Sequence, residues 1–294
     1  MIQTFVEICF RSFTSLIGIS LAHPLRLDEN PGMTTSNNPF AIITGASRGI
    51  GAEYARALAS QRYDLLLVAR DSERLGQLAH ELEAAHSIHT HMCALDLAQP
   101  NSAHQLFVVA RKYRQTPDLV INNAGFGLYG EFVSHAMPGI QEMLQLHIQT
   151  VVESIRLFLP GMIERGSGTI INVASIAGML PIPYFAEYAA TKAFLISFSE
   201  ALAEEVKSTG VHIQACCPGQ TETDFHTSAG FRPSSPMTVQ SATKVVQVSL
   251  AALKTHQTVV TIGGQGKLSS LLAKWVPKKI LLKQTGRRTR PPSQ

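Results

Sequence analysis

The chain has 294 residues, enough for one large α/β domain or two small ones, and its apolar content of 45% can supply a substantial core. Its net charge is +4, but eight Lys and Arg residues and no acid lie from Lys267 onward, so subtracting them leaves −4 on the rest. This mildly acidic body has no basic stripe for nucleic acid, which we exclude as a partner. Four cysteines without C-x-x-C spacing disfavour a disulfide scaffold and a metal site, and favour a reducing, cytoplasmic compartment.

Residues 1–37 are predicted to form a poorly ordered N-terminal extension. Residues 1–22 lean apolar, but Glu7 and Arg11 interrupt them, so they lack the roughly 20 apolar residues of a transmembrane helix. The basic start of a signal peptide is missing as well. Met33 offers an alternative start, so the segment is either an extension or precedes the true start.

Apolar runs and helical patterns alternate through the middle of the chain. The runs predict buried strands at residues 39–44, 63–69, 89–95, 118–122, 168–174, 211–216 and 257–262. The helical patterns lie between them at 49–60, 72–86, 101–114, 137–164 (with a break), 185–208 and 237–254. This alternation predicts one α/β domain, residues 38–265, with a doubly wound parallel sheet and helices on both faces.

A glycine-rich turn separates the first predicted strand from the first helix. In such a unit Gly45 permits a tight turn, Gly49 lets the backbone approach a pyrophosphate, and Gly51 lets helix and strand pack closely. The diphosphate would lie at the helix N-terminus, where free N–H groups and the macrodipole favour anions. The turn therefore predicts a dinucleotide site. The residues expected to contact the cofactor here are Gly45, Ser47, Arg48, Gly49, Ile50 and Gly51.

Tyr188 and Lys192 are four residues apart and share one face of a predicted helix. A phenol titrates at about 10, and a cation one turn away favours the phenolate and brings the group closer to neutral pH. Ser175 lies where a predicted strand ends, so its hydroxyl can hold a substrate oxygen beside the phenol. Tyr-x-x-x-Lys alone is more often an ordinary helix face. Its combination with the glycine turn favours a catalytic site.

Five motifs follow the order and spacing of the short-chain dehydrogenase/reductase family, which the chain resembles over residues 38–262. They are Thr44-Gly-x-x-x-Gly-x-Gly51, Asn122-Asn123-Ala124-Gly125, Ser175, Tyr188-x-x-x-Lys192 and Pro218-Gly219. The resemblance implies a single Rossmann domain with a seven-stranded parallel sheet. Segments 119–130 and 171–178 resemble in particular the DltE-like branch, which is similar to hydroxysteroid and long-chain ketoacyl reductases.

The resemblance also implies roles for individual residues. Tyr188 would be the general acid in reduction and the general base in oxidation, Lys192 would bind the nicotinamide ribose and lower the tyrosine pKa, and Ser175 would polarise the carbonyl. The implied contacts on the adenosine side are Asp96, Leu97, Asn123, Ala124 and Gly125. Those beside the nicotinamide and diphosphate are Pro218, Gly219 and Thr223. Taken alone, several of these residues could simply be turns or caps.

The residues after the second predicted strand favour NADP over NAD. NAD-selective sites place an acid there to bind the ribose 2′-hydroxyl, but Ala69 occupies that place and Arg70 follows. Together with Arg48, Arg70 suits a dianionic 2′-phosphate, which favours bidentate donors. Asp71 is an acid close to this place and argues for NAD instead, although it is better placed as a helix cap.

His147 is a departure from the family pattern. The family carries an asparagine in this helix that supports a water relay behind the lysine, and this chain has His147 there. A histidine could keep the relay as part of the catalytic set and add a pH dependence, or it could displace the water and slow the reaction. A helix histidine without a catalytic role is the third alternative.

Two functions from different classes remain open at this stage. The leading one is an NADP(H)-dependent oxidoreductase that acts on a carbonyl or secondary alcohol group of a small-molecule substrate. The alternative is a catalytically weak or silent NADP-binding sensor or interaction protein. A hydrophobic substrate is favoured by apolar residues that could line a pocket: Phe126, Leu128, Tyr129, Pro181, Tyr184, Phe185, Phe225 and Phe231.

Residues 266–294 form a basic amphipathic tail. It is either a peripheral membrane contact that brings the enzyme to lipid-like substrates, or a solvated or oligomer-packing segment. By family analogy the long helices would pair in a homodimer or homotetramer.

Overall fold

The computed structural model describes residues 36–222, 229–230, 239–263 and 276–291. Its seven strands form one sheet in the order β3-β2-β1-β4-β5-β6-β7, and every neighbouring pair is parallel. The strands are β1 Phe40–Thr44, β2 Asp64–Ala69, β3 Thr90–Ala94, β4 Leu119–Asn122, β5 Gly168–Val173, β6 Val211–Cys217 and β7 Val259–Thr261. The predicted doubly wound sheet is confirmed, and each strand lies within two residues of its predicted ends.

Helices alternate with these strands as predicted. They are α1 Gly49–Ser60, α2 Ser72–Ala85, α3 Ser102–Tyr113, α4 Met137–Leu144, α5 Thr150–Arg165, α6 Ala186–Glu205, α7 Ala242–Leu253 and α8 Lys278–Thr289. The predicted break in 137–164 is a π-helical turn, Gln145–Gln149, between α4 and α5. Asp71 caps α2 as expected, because its Oδ1 accepts from the backbone N–H of Arg74 at 3.0 Å.

Two apolar layers cover the two faces of the sheet. On one face the core side chains come from α1, α2 and α7, and on the other from α3, α5 and α6. Every residue of β1 and β2 is buried, because both faces of these strands are covered. The layers therefore hold the sheet rigidly and leave its loops to build a site.

The strand order places a crevice between β1 and β4. Connections leave these two neighbours toward opposite sides, since β2 lies beyond β1 and β5 lies beyond β4. Open α/β sheets bind their ligands at such a switch point, at the carboxyl ends of the strands. The glycine turn after β1 and the Asn123–Gly125 segment after β4 both lie at this edge.

Contacts of the domain extend past both predicted boundaries, 38 and 265, which stay predictions. Arg114 Nη2 donates to the backbone oxygens of Ser36 (3.1 Å) and Asn38 (2.9 Å), so residue 36 already packs on the domain. Beyond residue 265, α8 packs back onto the loop before α6 through a hydrogen bond from Thr289 to Pro183. The predictions for residues 1–35 and for the first part of the tail fall outside the described residues.

Within the described ranges, no helix has the length and apolar character needed to cross a membrane.

Candidate active site

The glycine turn has the backbone that its sequence predicts. Gly45 and Gly49 adopt φ values of 66° and 57°, which residues with a side chain rarely accept. Gly51 has no room for a Cβ, since one would collide with the backbone oxygen of Gly45 and with Asn123 Nδ2. The side chain of Arg48, the N-cap of α1, makes no cap hydrogen bond, and no acid occupies the first turn. The first amides of α1 are thus suited to an anion.

Thr44 ties this turn to the segment after β4. Its Oγ1 donates to the backbone oxygen of Ile121 (3.2 Å) and accepts from the backbone N–H groups of Asn123 (2.9 Å) and Ala124 (3.0 Å). The side-chain amide of Asn123 in turn donates to the backbone oxygens of Thr44 (2.8 Å) and Gly45 (3.3 Å). Asn123 and Ala124 therefore brace the turn. Their predicted contact with the cofactor stays a prediction.

Two arginines lie at the end of the sheet next to the glycine turn. The backbone N–H of Ala46 donates to the oxygen of Val68 (3.1 Å), which holds the turn against the end of β2. Arg48, in the turn, and Arg70, just after β2, are both exposed at this edge. Asp71 is engaged with the first turn of α2 and with Arg74 (3.3 Å). The acid that follows Arg70 in the sequence therefore serves as a cap.

Asp96 and Leu97 follow β3 in a tight turn. Asp96 accepts from the backbone N–H of Ala98 (3.0 Å) and from Gln99 Nε2 (3.3 Å), which is the simple turn role. Leu97 is buried in the core, and its backbone oxygen accepts from Thr150 Oγ1 at 2.8 Å. Their predicted contacts with an adenine ring stay predictions.

Ser175, Tyr188 and Lys192 come together as predicted. Ser175 follows β5, accepts from the backbone N–H of Ala177 (3.1 Å) and hydrogen-bonds with the side chain of Tyr188. Tyr188 is in the first turn of α6 and Lys192 lies one turn later, both buried. Lys192 Nζ donates to the backbone oxygen of Val173 (2.8 Å) and lies 5.7 Å from the centroid of the Tyr188 ring.

The pKa values of this group differ from the expectation of a lowered tyrosine pKa. Burial raises the pKa of Tyr188 to about 12, and the hydrogen bond with Ser175 offsets only part of that rise. The ammonium of Lys192 donates to the backbone oxygen of Val173, and burial lowers its pKa to about 8. Desolvation therefore outweighs the cation one turn away.

His147 lies on the π-helical turn and is 1% exposed. Thr191 Oγ1 donates to the backbone oxygen of Tyr188 (2.8 Å), so His147 Nδ1 must donate to that hydroxyl (3.0 Å). His147 Nε2 accepts from the backbone N–H of Phe126 (3.1 Å). Burial, and secondarily Lys192, lower the pKa of His147 well below its usual value. The ring is neutral and both of its nitrogens are engaged. The relay and the pH dependence considered from the sequence stay predictions.

Gly125 makes room for this histidine. A Cβ at residue 125 would lie 2.8 Å from His147 Nε2. Glycine is thus required here by the side chain opposite it, beyond any contact with a cofactor.

Pro218 and Gly219 follow β6 beside Ser175. The backbone oxygen of Pro218 accepts from the N–H of Ile176 (3.0 Å), and Gly219 lies against Gln240, whose Nε2 would be 3.2 Å from a Cβ there. The predicted contact of Thr223 falls outside the described residues.

An apolar cluster surrounds the Tyr188 ring on the side of the loops before α4 and α6. It contains Met143, Phe185, Tyr188 and Ala229, with Phe126, Leu128, Tyr129, Ala177 and Ile182 packed against it. Four of the predicted pocket residues are among them. Pro181 is exposed, Tyr184 hydrogen-bonds with Arg290, and Phe225 and Phe231 lie outside the described residues.

The sequence did not reveal two pairs that shape this site. The first pair is the hydrogen bond between Thr191 and His147. The sequence offered one signal for it, the polar Thr191 directly before Lys192 in the predicted helix. His135 Nδ1 lies 2.7 Å from Glu187 Oε1, which ties the loop before α4 to the start of α6. These residues are 52 positions apart, so no local pattern connects them.

The comparisons with known proteins agree with this fold. The family described as short chain dehydrogenase matches residues 39–233. The chain belongs to this family and is an oxidoreductase that acts on CH–OH or C=O groups.

Three relatives illustrate the likeness. Ketoacyl reductase HetN of Nostoc sp. is 35% identical over 187 residues, or 64% of this chain and 65% of that protein. The very-long-chain 3-oxoacyl-CoA reductase of Mus musculus is 30% identical over 251 residues, or 83% and 78%. A short-chain dehydrogenase from Sphingobium yanoikuyae in complex with NADPH has a TM-score of 0.74 and 28% identity, covering 87% and 98%. The narrower DltE-like resemblance stays a prediction.

Replacing Thr44 by Val should weaken NADPH binding and lower stability. The change leaves buried backbone groups of residues 121, 123 and 124 without their shared hydroxyl, which costs about 1–3 kcal/mol. Titrated nicotinamide fluorescence and urea unfolding would measure both effects. Thr44→Ser keeps the hydroxyl and is the matched control. Equal behaviour of the two variants would show that the hydroxyl does not brace the turn.

Proposed function

We propose that this protein reduces the ketone of a hydrophobic substrate with NADPH, and that 3-oxoacyl thioesters are its substrate class. The observation that carries the proposal is the phenol of Tyr188, which is hydrogen-bonded to Ser175 and lies in an apolar cluster. The names of two relatives, a ketoacyl reductase and a 3-oxoacyl-CoA reductase, support the substrate class.

The proposed mechanism uses the groups already in place. NADPH, when bound, supplies the hydride that adds to the carbonyl carbon. Ser175 and Tyr188 hold the carbonyl oxygen, and the phenol of Tyr188 donates its proton to that oxygen as the C=O bond becomes C–OH. Lys192 stabilises the phenolate that remains, until a proton from solvent converts it back to the phenol. His147 acts as a positioning residue, because it fixes the backbone of Tyr188 through Thr191.

The cofactor is proposed to lie across the switch point. Its diphosphate meets the first amides of α1, and its 2′-phosphate meets Arg48 and Arg70. The NADPH-bound relative supports NADP over NAD, as does the use of Asp71 as a helix cap.

The outer surfaces of α4, α5 and α6 expose Leu144, Ile163 and Phe194, which supports the proposed self-association. A cytoplasmic location, with or without a membrane contact through the tail, stays a prediction.

The test is NADPH-linked reduction of a series of 3-oxoacyl thioesters of increasing chain length. Tyr188→Phe should lower kcat by about 10²- to 10⁴-fold, since the proton donor is lost while the ring remains. Tyr63→Phe is the matched control, because Tyr63 directly precedes β2, at the end of the sheet opposite the candidate site. A folded protein that binds NADPH but reduces no carbonyl compound would overturn the proposal in favour of the silent sensor.

Arg70→Ala should raise the Kd for NADPH about tenfold and leave the Kd for NADH nearly unchanged, because only NADPH carries the 2′-phosphate. Fluorescence titration with both nucleotides would measure this selectivity. Arg62→Ala, at the far end of β2, controls for loss of a positive charge. An equal loss for both nucleotides would contradict the assignment.

The pH profile of kcat/KM for reduction should be flat through neutrality and fall above about pH 8. Lys192 is cationic below its pKa of about 8, so its support for the phenolate is present below that pH and is lost as pH rises through it. Tyr188 keeps its proton throughout this window. Lys192→Arg, which stays charged, should move the fall to higher pH. A break between pH 6 and 7 would instead show that His147 titrates.

A further inference from the structure

Helix α8 is strongly basic. Residues 276–291 contain six cations and no acid: Lys278, Lys279, Lys283, Arg287, Arg288 and Arg290. The like charges of such a helix repel one another unless an anion or a partner lies against them. The position of α8 on the domain indicates the kind of anion that would bind there.

The inner face of α8 packs on the rim of the apolar cluster. Leu281 is 5% exposed, and Gly286 lies against Pro183, whose Cγ would be 3.3 Å from a Cβ there. Thr289 Oγ1 donates to the backbone oxygen of Pro183 (2.8 Å), and Arg290 Nε donates to the hydroxyl of Tyr184 (3.2 Å). The loop held in this way leads directly into Phe185 and Tyr188.

The same loop is held from its other side. The backbone oxygen of Tyr184 accepts from the N–H of Gly130 (3.0 Å), in the loop before α4. Tyr184 also adopts φ of 64°, which a bulky side chain rarely accepts, so neighbouring contacts maintain this backbone. Helix α8 is thus part of the substrate-side rim.

An exposed stripe of cations runs along α8 beside these contacts. Lys279, Lys283 and Arg287 are each four residues apart, so they line one side of the helix over about 12 Å. None of the three forms an ion pair with any residue that the structure describes. This length and charge match a compact molecule with several phosphates.

A lipid surface fits the helix less well. A helix lying in a membrane interface needs a continuous apolar face. In α8 the buried Leu281 is already used against the protein, and the exposed Ile280 and Leu282 lie on either side of it rather than together. The exposed surface of α8 is mainly cationic.

We propose that the stripe of Lys279, Lys283 and Arg287 binds the phosphates of a coenzyme A-type carrier. The acyl chain of the thioester then extends over the rim into the apolar cluster at Tyr188. This inference rests on the proposed function, which supplies the thioester.

The kinetic test compares two esters of one 3-oxoacyl chain, the coenzyme A ester and the N-acetylcysteamine ester, which has no phosphate. The triple variant Lys279→Gln, Lys283→Gln and Arg287→Gln should raise KM about tenfold for the first and leave the second and both kcat values unchanged. The control triple variant, Arg111→Gln, Lys207→Gln and Lys254→Gln, removes three cations near the other edge of the sheet and should change neither. An unchanged KM for the coenzyme A ester would overturn the proposal.

A binding test separates this inference from the proposed activity. With the cofactor site saturated by NADP⁺, calorimetry should show that the wild type binds coenzyme A about tenfold more tightly than the α8 triple variant. Pantetheine, which has the same arm without phosphates, should not distinguish them. This result would stand even if no thioester were reduced. Equal affinity for coenzyme A, combined with loss of sedimentation on phosphatidylserine-containing vesicles, would overturn the proposal in favour of a membrane contact.

Discussion

The architecture depends on one constraint at the switch point between β1 and β4. Two parallel strands end side by side there, and the chain leaves them in opposite directions, so backbone groups at the crevice lose their sheet partners. The hydroxyl of Thr44 satisfies three of them and joins the two loops. Gly45 and Gly49 adopt positive φ values in the turn that follows. The side-chain amide of Asn123 fixes the start of this turn by donating to the backbone oxygen of Thr44. Rigidity at this point makes the first amides of α1 available to an anion.

Desolvation sets the electrostatic character of the neighbouring site. It raises the pKa of Tyr188, lowers that of Lys192 and keeps His147 neutral, although all three residues lie within one packed group. The protein alone therefore favours a protonated phenol, which suits the reducing direction of the proposed reaction. Lys192, with a pKa of about 8, changes its charge close to neutral pH.

The sequence was sufficient for the sheet and for the meeting of Ser175, Tyr188 and Lys192. Strands buried on both faces read as apolar runs, and residues that follow parallel strands must lie at one edge. The raised pKa of Tyr188 was not expected, because spacing shows a nearby cation but not the depth of burial. The break in 137–164 was predicted, but its π-helical form at His147 and the packing of α8 on Pro183 were not. Both depend on tertiary contacts between residues distant in the chain, which no local periodicity records.

The contact between Gly125 and His147 has an evolutionary consequence. A Cβ at residue 125 would lie 2.8 Å from the imidazole Nε2, so a side chain there requires the imidazole to shift. The two positions are therefore coupled. A lineage that first replaces His147 by a smaller residue gains space to change Gly125, whereas the reverse order first displaces a buried, hydrogen-bonded ring. Substitutions in this part of the site are therefore expected to accumulate in a fixed order.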